Sequence, residues 1–368
     1  MDFELTSDQQ LLAKTAGDFV NKQSPIARAR KLRDDELGWE KKTWKEMADL
    51  GWLGVPFAES VGGFGGSFLD VALILEQLGK TLVPEPFVPS LLAGMALAKG
   101  GDAEQAQRFL TPMIEGHISL ALAYAERGSR FDVDAPTTKA VRDGKGYKLT
   151  GEKTWVLNGH AARHIVVSAS LEGAPALFVV DHASKGLQCQ SLYTFDGRRA
   201  AHLKLEGVHV EADRLLSGAP AAQLLELLTD MGAAACVAEG VGVAQRVLDM
   251  TVEYMGTREQ FDVKIGTFQA LQHRAVDMFI EAQLIRSIAY ESNVKVDDAD
   301  VRERKRAVSA AKVQLALGGK YITRQSIQLH GGVGCTDEHD IGLYFKRMQV
   351  LNTLFGDEDF HVARFAGL

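Results

Sequence analysis

Apolar residues recur three and four positions apart from Thr6 to about Gly116, in "QLLAKTAGDFV", "TWKEMADLGWL", "DVALILEQLGK" and "LLAGMALAKG", the period of helices that bury one face. A glycine-rich insert, "VPFAESVGGFGGS", interrupts them, with Gly62, Gly63, Gly65 and Gly66 in a loop ahead of a helix capped near Ser67. Between Ile118 and about Val210 the texture changes to short β-rich runs split by turns: "SLALAYA", "TKAVRDGKGYKLTG", "HIVVSAS", "ALFVVD" and "AHLKLEGVHV". "RDGKGYKL" reads as a hairpin turn. No helical period separates these strands, so they predict a small β-barrel or sandwich rather than βαβ units. After "LLSGAP" the helical period returns in four long segments, near 221–258, 267–296, 301–330 and 337–366, as in an antiparallel bundle. The pattern predicts an α+β chain: an N-terminal helical domain over 1–116, a middle β-barrel over 117–215 and a C-terminal four-helix bundle over 216–368.

Composition narrows the class. A chain of 368 residues can bury two or three cores, and 46% hydrophobic with 24% charged residues is an ordinary globular balance. The net charge of −7 argues against a nucleic-acid or anionic-membrane partner, so any bound phosphate needs a local site. Cys189, Cys236 and Cys335 are odd in number and far apart, which suggests neither a disulfide framework nor a zinc ribbon, and fits a reducing cytoplasm. His330, Cys335, His339 and His361 match no ligand spacing, so no metal is expected. "MDFELTSDQQ" lacks a signal-peptide pattern, and Glu239 and several glycines break the apolar run "MGAAACVAEGVGVAQ", so no membrane span is expected.

Three stretches carry candidate chemistry. "YMGTREQFDVKIGTFQALQH" looks like two helices joined by a short bend, yet Arg258, Gln260, Gln269 and Gln272 stand among aromatics with no acidic cluster to explain Arg258. An anionic ligand would explain it. "HGGVGC", His330–Cys335, closes a helical run instead of following a strand, which argues against a Rossmann loop and favours two other readings: a helix C-cap at positive φ, or close backbone approach to a ligand. In "GEKTWVLNGHAA" Trp155 lies mid-strand, either packed in the core or exposed as a flat wall for an aromatic cofactor.

"WKEMADLGWLGVPFAESVGGFGG", "GEKTWVLNG", "EYMGTREQFDVKIGTFQALQHRAVDM" and "QLHGGVGCTDEHDIGLYFKRM", in this order on an α–β–α frame, resemble the acyl-CoA dehydrogenases over nearly the whole chain. The resemblance implies their fold and flavin adenine dinucleotide (FAD) held between subunits. In that family the "RxxFG", "FQ" and "QxxGG" motifs lie against the adenine and pyrophosphate end of an FAD whose ring sits in the neighbouring subunit. Matched residue by residue, these are Arg258, Phe261, Gln269, Gln328, Gly331 and Gly332; Trp155 and Ser129 remain of the ring-side pocket. A guanidinium suits a diphosphate, and glycines let it come close. Asp262 departs from the family's glycine.

The family's reaction removes an α-proton with a carboxylate while the β-hydrogen leaves as hydride to the flavin. One usual base position, before the glycine of a "YEGT" motif, holds Phe355 here; the other, on the first bundle helix, matches Gly232. No catalytic residue is assigned. Where the family has "TEPxAGSD" this chain has "AYAERGSR", Ala123–Arg130, and Leu157 replaces the threonine near the reactive flavin nitrogen. Residues reaching into a neighbour's site survive, whereas those building the chain's own ring pocket are mostly lost. The resemblance therefore implies the non-catalytic subunit of an α2β2 acyl-CoA dehydrogenase, of the type acting on steroid side-chain or dicarboxylic acyl-CoA esters and passing electrons to an electron-transfer flavoprotein. Rival readings are a self-sufficient dehydrogenase with a relocated base, Glu239 or Glu358, a related flavin oxidase or monooxygenase, and a scaffold without redox function.

Overall fold

The computed structural model describes residues 4–129 and 131–368. Its N-terminal helices are α1 (Ser7–Gln23), α2 (Ile26–Leu32), α3 (Lys41–Asp49), α4 (Phe68–Lys80), α5 (Phe87–Gly100), α6 (Ala103–Gln105) and α7 (Thr111–Ile114), the last two flanking a π-helical turn at Ala106–Leu110. Ser67 caps α4 as its sequence predicts: its hydroxyl accepts from the Asp70 amide and the Asp70 carboxylate accepts from the Ser67 N–H, a reciprocal capping box.

The strands are β1 (Leu120–Ala123), β2 (Lys139–Asp143), β3 (Gly146–Leu157), β4 (His164–Leu171), β5 (Ala174–Asp181), β6 (Leu187–Tyr193), β7 (Arg199–Glu211) and β8 (Leu215–Leu216). They form one sheet in the order β6-β7-β3-β2-β4-β5-β8, with β1 parallel to β4. The predicted β2–β3 hairpin closes at Gly144, whose φ of +61° suits a two-residue turn. The rings of Tyr147 on β3 and Phe178 on β5 lie 5.2 Å apart although β2 and β4 separate their strands in the sheet. A flat sheet would hold them about 14 Å apart at normal strand spacing. The sheet therefore curls round one core, an open barrel whose edge strands are β6 and β8.

The C-terminal elements are α8 (Ala221–Thr257), β9 (Glu259–Gln260), β10 (Val263–Lys264), α9 (Gln269–Lys295), α10 (Val301–His330), α11 (Ile341–Thr353) and α12 (Glu358–Ala366). Two expectations need correction. The fourth bundle segment is two helices, broken where Phe355 and Gly356 take φ of +57° and +118°. And α8 is long and apolar enough to cross a membrane, contrary to the sequence reading; 89% of its apolar window is buried within the protein, as in a core helix.

The polypeptide is divided between two compact units. One comprises the N-terminal stretch to Lys31, Ser67–Val83 and Ala233–Leu368; the other comprises Leu32–Gly66 and Pro84–Gly232. In the first, α4 and α8 cross on glycines: a Cβ at Gly79 would overlap the Glu239 carbonyl, and one at Gly242 the Glu76 carbonyl. Backbone cannot yield as a side-chain tip can. Gly242→Ala is therefore expected to destabilise by about 1–3 kcal/mol, whereas Gly256→Ala, in the same helix with nothing within 4 Å, should be neutral or mildly stabilising. Thermal melting of the two variants checks this.

Candidate functional site

In the bundle unit the six residues matched to the dinucleotide end come together through packing of the helix termini. Thr251 on α8 and Ser326 on α10 share a buried hydroxyl–hydroxyl hydrogen bond of 2.7 Å. One turn on, Tyr254 stacks on His330 at 4.4 Å, and His330 is further fixed by the Ser326 carbonyl at 2.8 Å. Arg258 lies one turn past Tyr254, and Gly331 follows His330 directly. Arg274 donates to Gln325 at 3.2 Å, which sets the first turns of α9 beside the last turns of α10, and with them Gln269 and Gln328.

The join between α8 and α9 is a small hairpin, not the short bend read from the sequence. β9 pairs with β10 around Phe261 and Asp262, whose φ of +55° and +63° make a type I′ turn. This explains the departure at Asp262: the position needs left-handed backbone, which glycine supplies freely and aspartate tolerates. Phe261 at the turn is 87% exposed. Among the described residues the Arg258 side chain has no hydrogen-bond or ion-pair partner.

The glycines of "HGGVGC" divide their work. Gly331 ends α10 at φ +61° and spends its N–H on the Gln328 carbonyl, so it offers access and no free donor. Gly334 is forced by the Ile327 carbonyl, 2.7 Å from where its Cβ would be. Gly332 needs neither explanation; it is exposed with open space around it. An exposed, unpaired guanidinium beside glycines that leave room for close approach fits a pyrophosphate.

The sheet unit holds Trp155 and Ser129. Along β3, Tyr147, Leu149 and Lys153 point inward, and strict alternation would turn Trp155 inward too. An extra residue between Lys153 and Val156 shifts the register against β7, Trp155 takes φ +51°, and its ring emerges 55% exposed while Val156 fills the core position. The core reading of Trp155 is thereby overturned. Thr154 N–H bonds the Ala125 carbonyl at 2.9 Å, which ties the bulge to the loop bearing Ser129, whose hydroxyl donates to the Glu126 carbonyl at 3.1 Å. Arg130, where the family's aspartate stands, lies outside the described residues.

The sequence reading missed Glu126. Its carboxylate is buried and accepts from Lys153 Nζ at 2.6 Å, from Thr137 N–H and hydroxyl, and from Thr138 N–H. A lysine at an inward strand position was the available signal, because a buried ammonium demands a carboxylate. Burial alone would raise the Glu126 pKa, but the bonds from Lys153, Thr137 and Thr138 prevail and hold it at about 2. Burial pulls Lys153 down to about 8 against its bond to Glu126, so the ammonium persists at neutral pH. A folded-state pKa below the unfolded value gives stability that is complete above about 4.5 and is lost as pH falls through about 2. The melting temperature is expected to fall over that window, and Glu126→Gln to flatten the slope, measurable by scanning calorimetry.

Neither usual base position carries a carboxylate. Gly232 is buried within α8, and Phe355 is buried with its backbone pinned on both sides. Lys312 Nζ donates to the Leu351 and Leu354 carbonyls at 2.6 and 2.8 Å, and His361 Nε2 donates to the Phe355 carbonyl at 3.1 Å. The two fallback carboxylates are committed: Glu239 to Arg347 through both oxygens at 2.7 and 2.8 Å, both side chains buried, and Glu358 to Lys320 at 2.6 Å. One face of α9 stays bare, with Val276, Phe279, Ile280 and Leu284 each between 48% and 54% exposed at helical spacing.

The acyl-CoA dehydrogenase N-terminal, middle and C-terminal domain families match residues 6–117, 121–208 and 223–366. A probable acyl-CoA dehydrogenase of Bacillus subtilis, YngJ, is 31% identical over 357 residues, 93% of this chain and 92% of its own. The acyl-CoA dehydrogenase FadE27 of Mycobacterium tuberculosis is 30% identical over 94% of this chain and 92% of its own. The solved ChsE4–ChsE5 complex from Mycobacterium tuberculosis contains a chain that superposes with a TM-score of 0.91 at 29% identity, covering 100% of this chain and 98% of that one. With three domains matched in order and relatives aligned end to end, this chain belongs to the acyl-CoA dehydrogenase family, whose members are FAD-dependent oxidoreductases.

Proposed function

We propose that this chain is the non-catalytic subunit of a heteromeric acyl-CoA dehydrogenase, an α2β2 assembly in which it lends the dinucleotide half of the FAD site to a catalytic partner. One asymmetry carries the reading: Arg258, Phe261, Gln269, Gln328, Gly331 and Gly332 are all exposed at one end of the bundle, while both base positions are apolar or bare. FAD, when bound, accepts hydride from the acyl β-carbon. This chain's part is to hold it: Arg258 would meet the pyrophosphate charge, Gln269 and Gln328 would hydrogen-bond beside it, and Gly331 and Gly332 would let it approach. Trp155 and Ser129 are remnants of a ring-side pocket that has lost most of its other polar groups. The bare α9 face suits an apolar partner surface, and the ChsE4–ChsE5 likeness supports a two-chain assembly. Steroid side-chain or dicarboxylic acyl-CoA esters are the substrates we assign to the assembly, with selection among them left to the catalytic chain, an electron-transfer flavoprotein as acceptor and the cytoplasm as location.

A self-sufficient enzyme would need Glu239 or Glu358 as base, and the ion pairs they make count against both. The deciding experiment purifies the chain alone and co-expressed with any dehydrogenase-like chain encoded beside it, and measures flavin per chain and oligomer mass. About one flavin per pair in the mixed complex and little in the lone chain is expected. Full flavin in the lone chain, bleached by acyl-CoA, would refute the proposal.

A further inference from the structure

Arg30, in the last turn of α2, belongs to the same compact unit as the bundle, although 307 positions separate it from Asp337. Its guanidinium grips the segment that follows the glycines of "HGGVGC". Nη1 donates to the Asp337 carbonyl, and Nη2 donates to the Glu338 carbonyl at 3.3 Å and to Asp340 Oδ1 at 2.8 Å. The Asp337 carboxylate stands 3.6 Å from Nη1. Asp340 is the N-cap of α11, where an aspartate ordinarily accepts from the first amides of its own helix. Among the described residues it makes no such bond and meets Arg30 instead. Every residue from Thr336 to Asp340 is exposed or half-buried, so no core side chain anchors the segment and polar contacts set its position.

The segment carries His339, whose Nδ1 accepts from the Ile341 N–H at 3.2 Å. Its ring lies 4.7 Å from that of His330 and, edge to face, 6.4 Å from that of Tyr254. His330 directly precedes Gly331, and Tyr254 stands one helical turn before Arg258. The α2 guanidinium is thereby connected, through residues 337–340 and one imidazole, to both rings that carry the pyrophosphate candidates.

We propose, resting on the dinucleotide reading above, that Arg30 is a positioning residue of that site. It holds His339 against His330 and Tyr254, and so keeps Gly331, Gly332 and Arg258 in the arrangement that receives a pyrophosphate. Without the guanidinium the segment samples other arrangements, and apparent affinity falls with the fraction of molecules still competent to bind. Only a planar fork spans two carbonyls and a carboxylate at once, so lysine replaces it in part.

The test uses the full chain in its native complex, stripped of flavin and held well below its melting temperature, with two readouts: hydrogen exchange of amides 331–341, and FAD affinity by equilibrium dialysis. Arg30→Ala is expected to speed exchange over 331–341 while the core of α8 keeps its protection, and to weaken FAD about three- to tenfold. Arg30→Lys should weaken it at least about twofold, less than alanine does. His339→Ala should resemble Arg30→Ala, and the double variant should be no weaker than the worse single one, since both act along one path. Unchanged exchange over 331–341, FAD affinity unmoved by Arg30→Ala while Arg258→Ala weakens it, or full additivity with His339→Ala would overturn the assignment. If Arg30→Ala fails to fold, Arg30→Lys decides by the same readouts. Faster exchange with FAD affinity unmoved by both Arg30→Ala and Arg258→Ala would sink the dinucleotide reading, and this assignment with it.

Discussion

Arg258→Ala is expected to lower the FAD affinity of the native complex by about 10–100-fold, the loss of a charge-assisted hydrogen bond to phosphate worth about 1.5–3 kcal/mol. The structure makes this a clean substitution. The guanidinium is exposed and has no partner among the described residues, so removing it orphans nothing within the chain. Stability of the subunit should stay within about 0.5 kcal/mol. Equilibrium dialysis of FAD against the purified complex, with a thermal melt as control, separates the two effects. A chain with no flavin role would show unchanged affinity, and Arg258→Lys should recover only part of the loss because an ammonium lacks the planar fork.

Glu239→Ala should have the opposite signature. Its carboxylate meets Arg347 through two hydrogen bonds of 2.7 and 2.8 Å, with both side chains buried, so truncation strips two charge-assisted hydrogen bonds from a buried guanidinium. The expected cost is about 3–5 kcal/mol of stability. Arg347→Ala should cost a comparable amount, and replacing both by apolar residues of similar volume should restore most of it. Turnover of whatever complex survives, measured well below the melting temperature, should be nearly unchanged. A relocated base would invert this pattern, with turnover abolished and stability little affected.

What the sequence made legible were features written in a few consecutive residues. The Ser67 cap, the turn at Gly144 and the helical periods each depend on local chemistry, and the structure repeats them. The Arg258 misfit was legible for the same reason, as a cation among aromatics with no acidic cluster to account for it. What escaped depends on contacts across long separations or on a single inserted residue. Lys153 and Glu126 are 27 positions apart, and Glu239 and Arg347 are 108 apart. Trp155 faces outward only because one extra residue reverses the alternation of β3, and no count of apolar positions reveals on which strand a bulge falls. Asp262 stood out in the sequence only as a departure from the family's glycine, and the structure accounts for it by conformation, its φ being +63°.

The apolar stripe on α9 has a bearing on gene dosage. On the subunit reading proposed above, a copy made without a partner would keep Val276, Phe279, Ile280 and Leu284 in water, a surface that invites self-association and capture by quality-control proteases. Its lifetime in the cell would then track the supply of the partner chain, and overproducing it alone would raise turnover of the orphan and not the amount of enzyme. Matched synthesis of two chains, as from adjacent reading frames on one message, is the arrangement that such a surface rewards.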